Sequence, residues 1–123
     1  MAISRTKNIW SWVLLGILGL LFLVAGAGKL AGSADLMFEE WGYAAWFAMV
    51  IGALEVAGGI GLLIPRLAKP AIGGLGIIML GAAYTHLVSG EAPQVIRPLV
   101  FFILLGVAFW LRMETRQVSG HSD

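Results

Sequence analysis

The sequence predicts an all-α integral membrane protein, a left-handed four-helix transmembrane bundle with both termini cytoplasmic. Three observations carry that prediction. Of the 123 residues, 59% are hydrophobic and only 12% charged, and the mean hydropathy of +0.91 lies outside the range of soluble domains. Four apolar runs approach the roughly 20 residues that a helix needs to cross the hydrocarbon. Finally, Arg5 and Lys7, Arg66 and Lys69, and Arg112 and Arg116 fall on one side of a four-span layout, leaving Lys29 and Arg97 on the other. Lysine and arginine are retained on the cytoplasmic face, so this bias sets the orientation.

The first span covers about residues 9–30, within which Asn8 to Gly28 is uncharged. Its basic leader and Ala25-Gly26-Ala27 imitate a signal peptide with a cleavage site. The run is longer than a signal-peptide core and more spans follow, so it reads as an uncleaved helix. Lys29 to Trp41 carries Asp35, Glu39 and Glu40 behind Gly32-Ser33 and reads as a polar loop or short surface helix. Met37, Phe38, Trp41 and Tyr43 suit the headgroup layer, where a ring and a polar edge are both satisfied.

The second span covers about residues 44–64 and ends at the basic turn Pro65-Arg66-Leu67-Ala68-Lys69-Pro70, whose prolines close one helix and open the next. The third, about residues 71–88, holds Gly73, Gly74, Gly76 and Gly81, which in lipid allow helices to approach closely. After the turn Ser89-Gly90-Glu91-Ala92-Pro93, the fourth span covers about residues 95–111 with Pro98 near its start. Residues 1–112 thus form one domain, followed by a polar tail at 113–123. Trp10, Trp12, Trp41, Trp46 and Trp110 all fall near span ends, as an aromatic belt requires.

A net charge of +1 implies no attraction to nucleic acid. With no cysteine, disulfides, iron–sulfur ligation and an intrinsic thiol cycle are excluded. The chain has no phosphate-binding loop, nucleophile elbow or paired metal-ligand motif, so no metal site and no intrinsic cofactor are expected.

The chemistry concentrates on Glu55, a carboxylate within an apolar run. An ionisable group at the centre of a span costs roughly 2.5 to 3.5 kcal/mol on insertion scales and calls for a compensating role. By three- and four-residue spacing, Gly52, Gly58 and Gly59 share its helix face. The carboxylate therefore looks out from a strip almost without side chains, to be filled by another helix or by a ligand. Lys29, His86 and Arg97 fall in the same outer half of the bundle. Glu55 sits roughly 12 to 16 Å below its helix end at about 1.5 Å per residue, so Lys29 meets it only by pointing inward instead of extending to the headgroups.

These residues form the expected site: Glu55 and His86 as catalytic groups, with Lys29, Gly52, Gly58, Gly59, Tyr84 and Arg97 binding the ligand. A guanidinium keeps its proton, which limits Arg97 to holding an anion or carbonyl or fixing Glu91 or Glu55. His86 has no second histidine or cysteine nearby to complete a metal site, and reads as a general base or an interfacial hydrogen-bonding group. Tyr84 points nearly opposite His86 on a helix, so the two do not form one dyad. The structural alternative for Glu55 is a plain interhelical polar contact worth about 1 kcal/mol.

Phe22-Leu23-Val24-Ala25-Gly26-Ala27-Gly28-Lys29-Leu30, Glu55-Val56-Ala57-Gly58-Gly59-Ile60-Gly61-Leu62-Leu63-Ile64-Pro65 and Tyr84-Thr85-His86-Leu87 with Gly90-Glu91 together resemble the DoxX family, closest to its DoxX-like branch. The order and spacing of the Gly-x-x-Lys-Leu, Glu-x-x-Gly and Thr-His-Leu pieces carry the resemblance, with Lys29, Glu55 and His86 at the family's polar positions. The resemblance implies a four-helix, multi-pass protein of the bacterial inner membrane. It also implies association with quinone-linked or oxidative-stress redox systems, by analogy with the related DoxD-type subunits of a thiosulfate:quinone oxidoreductase.

Three functions compete on this reading, and whether there is catalysis at all is left open. The first is a membrane subunit binding a quinone or other lipophilic small molecule in an outer-leaflet pocket, beside an oxidoreductase partner that supplies the redox centre. The second is a self-contained acid–base enzyme, an isomerase or hydrolase, with Glu55 moving the proton. The third is a non-catalytic assembly subunit whose glycine faces dock another protein or a second copy in a homo-oligomer.

Overall fold

A computed structural model describes the backbone of residues 2–121 and the side chains of residues 5–113. Its elements are α1 (Ala2–Leu30), α2 (Asp35–Glu40), α3 (Phe47–Leu62), α4 (Ala68–Val88), a single 3-10 turn (Ala92–Val95) and α5 (Ile96–His121). Among the described residues there is no strand. The four long helices pack around a closed circuit, α1 on α3, α3 on α4, α4 on α5 and α5 back on α1.

The seam between α1 and α3 is the closest, and glycine makes it so. A Cβ at Gly26 would lie 2.5 Å from the Gly52 carbonyl oxygen, and one at Gly52 would lie 2.8 Å from the Gly26 oxygen. Gly19 and Gly59 repeat this reciprocal arrangement at 2.9 and 2.8 Å. The spacing on both antiparallel helices is one heptad, so the same face returns and the backbones touch twice, at a separation that no side chain would permit. Leu75 of α4 covers Gly58, and Ala71 covers Gly61. Around these contacts Leu15, Leu18, Phe22, Leu62, Leu75 and Leu105 form the main core.

Each stop at the Lys29 end is geometric. α1 terminates where Gly32 turns left-handed (φ +95°), the Ser33 N–H reaching the Gly28 carbonyl and the Gly32 N–H that of Lys29. This double bond pattern satisfies carbonyls that would otherwise be orphaned at a helix end. The chain then folds back as α2, whose Phe38 is buried with Ala34 and Ala48 in a second small cluster against α3. The acidic segment is therefore a short helix seated on the bundle.

Two spans differ from the sequence expectation. α3 has 16 residues, about 24 Å of helix against a hydrocarbon core of about 30 Å. The expected 44–64 run is shortened at both ends. Ala44 to Trp46 are taken up in a turn after Gly42, and the Leu63 and Ile64 N–H groups switch to carbonyls three residues back, ahead of Pro65. At the other extreme α5 continues to His121, so most of the segment read as a tail extends the last helix. Arg5–Leu30, Ala68–Val88 and Ala92–Met113 are long and apolar enough to cross a membrane, and Phe47–Leu62 is a shorter apolar helix.

The first turns of α1 and the stretch of α5 around Arg112 meet at one end of the bundle. Lys7 Nζ sits 4.7 Å over the Trp110 ring and the Arg112 guanidinium 4.8 Å over Trp12, while Lys69 caps Phe109 at 5.7 Å. Along the outside of α1, Trp10, Ile17 and Val24 are exposed at heptad spacing, with Val13 and Leu20 beside them. Such an apolar exterior is solvated by lipid chains.

Candidate functional site

At the end of the bundle opposite Lys7 and Arg112, the helices surround a cavity of about 430 Å³. Its walls come from every helix: Phe22 and Ala25 of α1, Phe38 of α2, Phe47 and Ile51 of α3, Ile78 and Met79 of α4, Pro98 and Phe101 of α5. Leu21 and Ile77 line it while also being exposed outside, so it communicates with the surface. The polar members are Lys29, Tyr43, Glu55, Thr85, His86 and Arg97.

Glu55 is 2% exposed and is reached by Lys29, whose Nζ lies 2.7 Å from Oε1. Lys29 therefore turns inward, its side chain 22% exposed, instead of extending to the headgroups. At that separation the contact is charge-assisted, and Lys29 is the one partner of the Glu55 carboxylate among the described residues. A charged acceptor held in this way has its counter-ion but retains unused hydrogen-bonding capacity.

A second polar centre forms where α4 stops. Gly90 is left-handed (φ +76°), and the Glu91 N–H returns to the His86 carbonyl at 2.8 Å, which brings the Glu91 side chain under the imidazole. Glu91 Oε1 lies 2.9 Å from His86 Nδ1 and accepts the Trp41 indole N–H at 3.1 Å. Trp41 meets the His86 ring edge-on, with centroids 5.2 Å apart. An oxygen already accepting from Trp41 acts as acceptor toward Nδ1 as well, so the imidazole is oriented with Nε2 as its remaining nitrogen. A third pair joins Tyr43 and Thr85, hydroxyl to hydroxyl at 2.7 Å.

Of the residues expected in the site, Lys29, Glu55, His86 and Arg97 do come together on the cavity. Arg97 is exposed at its rim. The three glycines do not reach it: Gly52 and Gly59 face the backbone of α1, and Gly58 faces Leu75. Their bare strip is filled by helices. Tyr84 is 65% exposed and lies outside the lining, on the face of α4 away from His86, as helical spacing requires. Trp41, Tyr43, Thr85 and Glu91 complete the polar arrangement but were not in the expected set. Thr85 stands beside His86 in the sequence, and Trp41 and Tyr43 could be found only by folding α2 back onto the bundle. No group of three or more metal-binding side chains occurs among the described residues.

An apolar helical bundle with an open cavity and an ion pair inside it defines a polytopic helical membrane protein with an internal polar site. The chain belongs to the DoxX-like family, whose family model matches residues 13–108. Comparison with curated proteins and with solved structures gives no match.

Proposed function

We propose that this is a multi-pass protein of the bacterial inner membrane that binds a quinone or other lipophilic small molecule, as part of a redox or oxidative-stress system. The observation that carries the reading is the cavity of about 430 Å³, within the range of small-molecule sites and built like one, with mostly apolar walls and a few convergent polar groups. The rings of Phe22, Phe38, Phe47 and Phe101 offer flat surfaces to an aromatic head group, and openings beside Leu21 and Ile77 admit a ligand from the lipid. Lys29, His86 and the Tyr43–Thr85 hydroxyls stand where they can hydrogen-bond a head group. A bound quinone would supply two-electron chemistry, in association with a partner subunit.

Positive-inside bias orients the site. Lys7, Lys69 and Arg112 cluster at the end away from the cavity, which supports an orientation with both termini in the cytoplasm and the cavity in the outer leaflet. Gly52 and Gly59 are used inside the bundle, so their strip is not free to dock a further helix.

Native extraction followed by mass spectrometry of bound organics, paired with thermal shifts in ubiquinone and menaquinone analogues, tests the proposal. A co-purifying lipophile and a saturable upward shift are expected. A ligand-free protein that none of the analogues stabilises would overturn it.

A further inference from the structure

We infer that the cavity is selective for a hydroxylic lipophile, a phenol or hydroquinone, over the corresponding ether or quinone; the inference rests on the lipophile-binding reading above. It follows from the hydrogen bonds that the polar lining leaves unmade. Glu55 is almost wholly buried and lines the cavity, and its carboxylate, which offers about four lone-pair sites, has Lys29 as its one partner among the described residues. Lys29 Nζ stands 2.7 Å from Oε1, so an ammonium with N–H groups to spare and a carboxylate with lone pairs to spare lie side by side. A hydroxyl is the simplest group that matches both, accepting from the ammonium through its oxygen and donating its hydrogen to Glu55. A quinone carbonyl or an ether oxygen only accepts. Bound at the same place, either would leave the remaining lone pairs of the Glu55 carboxylate without a donor and shielded from the water that could supply one.

In its neutral form, His86 adds a second acceptor. Its Nδ1 is committed to Glu91, which leaves Nε2 as the available nitrogen of a ring lining the cavity. The available donors are less constrained, since Arg97 is exposed and Lys29 is 22% exposed on its side chain, and both reach water without a ligand. The unmet demand inside the cavity is therefore for hydrogen-bond donation. The surrounding Phe22, Phe38, Phe47 and Phe101 rings select an aromatic carrier for that hydroxyl.

The experiment compares para-heptylphenol with its methyl ether by calorimetric titration of the purified full chain in detergent micelles. Anaerobic titration with short-chain ubiquinol and ubiquinone runs alongside. The phenol and the quinol are each expected to bind at least about tenfold more tightly than their donor-less counterparts. The double variant Lys29→Met with Glu55→Leu, which replaces the ion pair by apolar side chains of similar size, is expected to bring the phenol-to-ether ratio down to within about threefold. Equal binding of phenol and ether by the unaltered protein would overturn the selectivity while leaving lipophile binding intact. Failure of all four compounds to bind would overturn both. A preference that persists undiminished in the double variant would overturn the assignment to Glu55. If that variant does not fold, the phenol–ether and quinol–quinone comparisons on the unaltered protein still decide the selectivity.

Discussion

Lys29 and Glu55 form an ion pair across the α1–α3 seam, 2.7 Å between Nζ and Oε1, and the two partners are unequally buried. That inequality predicts unequal mutants. Lys29→Met leaves a carboxylate buried without its counter-ion, and is expected to cost about 3 kcal/mol or more of bundle stability. Glu55→Gln leaves an ammonium that can swing toward the headgroups on its methylene stem, at an expected cost of about 1 kcal/mol. Combining Lys29→Met with Glu55→Leu should recover most of the loss. Reversible unfolding in mixed micelles measures the series. If Glu55→Gln proves the more destructive single change, the buried carboxylate is not what makes the pair costly to break.

The glycine contacts separate two kinds of glycine that look alike in sequence. An added methyl at Gly26 or Gly52 meets backbone at 2.5 or 2.8 Å, and backbone cannot rotate away as a side chain tip can. Gly26→Ala and Gly52→Ala are therefore expected to destabilise by about 1 to 3 kcal/mol through overpacking. At Gly73, Gly74 and Gly106 nothing lies within 4 Å of the new Cβ. Alanine there should be neutral or stabilise by up to about 1 kcal/mol through helix propensity. Thermal denaturation of the five variants in one detergent gives the comparison.

The same contrast explains what could be read in the sequence. Glu55 announced itself because a carboxylate in an apolar run has few explanations, and Lys29, His86 and Arg97 followed from the ends of their helices. The partner of Gly52 and Gly59 was not legible, since a bare strip suits a ring or a helix equally and only the seven-residue match with Gly19 and Gly26 decides between them. Tyr84 belongs to the motif that holds His86, but its own helical position directs it outward, where it is 65% exposed. Trp41, Tyr43 and Glu91 were hidden for another reason: they approach His86 and Thr85 only after Gly32 and Gly90 reverse the chain, and the resulting contacts span 50 residues for Trp41–Glu91 and 42 for Tyr43–Thr85.

Glu91 is the junction through which α2 is held over the cavity, because its Oε1 binds both Trp41 Nε1 and His86 Nδ1. Glu91→Ala should release both contacts without touching the main core or the α1–α3 seam. The expected signature is local: amide exchange accelerates several-fold across residues 35–46 while residues 15–26 of α1 keep their protection. Hydrogen-exchange mass spectrometry in detergent reads both segments at once. Uniform loss of protection throughout the chain would show that Glu91 supports the whole bundle instead of its cover.

Orientation can be tested directly because the chain has no cysteine, so any introduced thiol is the sole target of a maleimide. Ser33 and Ser89 are exposed in the turns at the cavity end, and Leu67 is exposed in the turn after α3. Positive-inside bias predicts Leu67 on the cytoplasmic side beside Arg66 and Lys69, and Ser33 and Ser89 on the outer side. In intact spheroplasts an impermeant maleimide is expected to label Ser33→Cys and Ser89→Cys, and to label Leu67→Cys only after the membrane is opened. The three positions also examine α3, which has only 16 residues. A helix about 24 Å long spans a bilayer if the lipid thins locally or the flanking side chains extend to the interface. If α3 crosses, Ser33 and Leu67 label from opposite sides. Labelling of both from the same side would show that α3 does not cross, and the cavity would then lie at a membrane surface with Glu55 within reach of water.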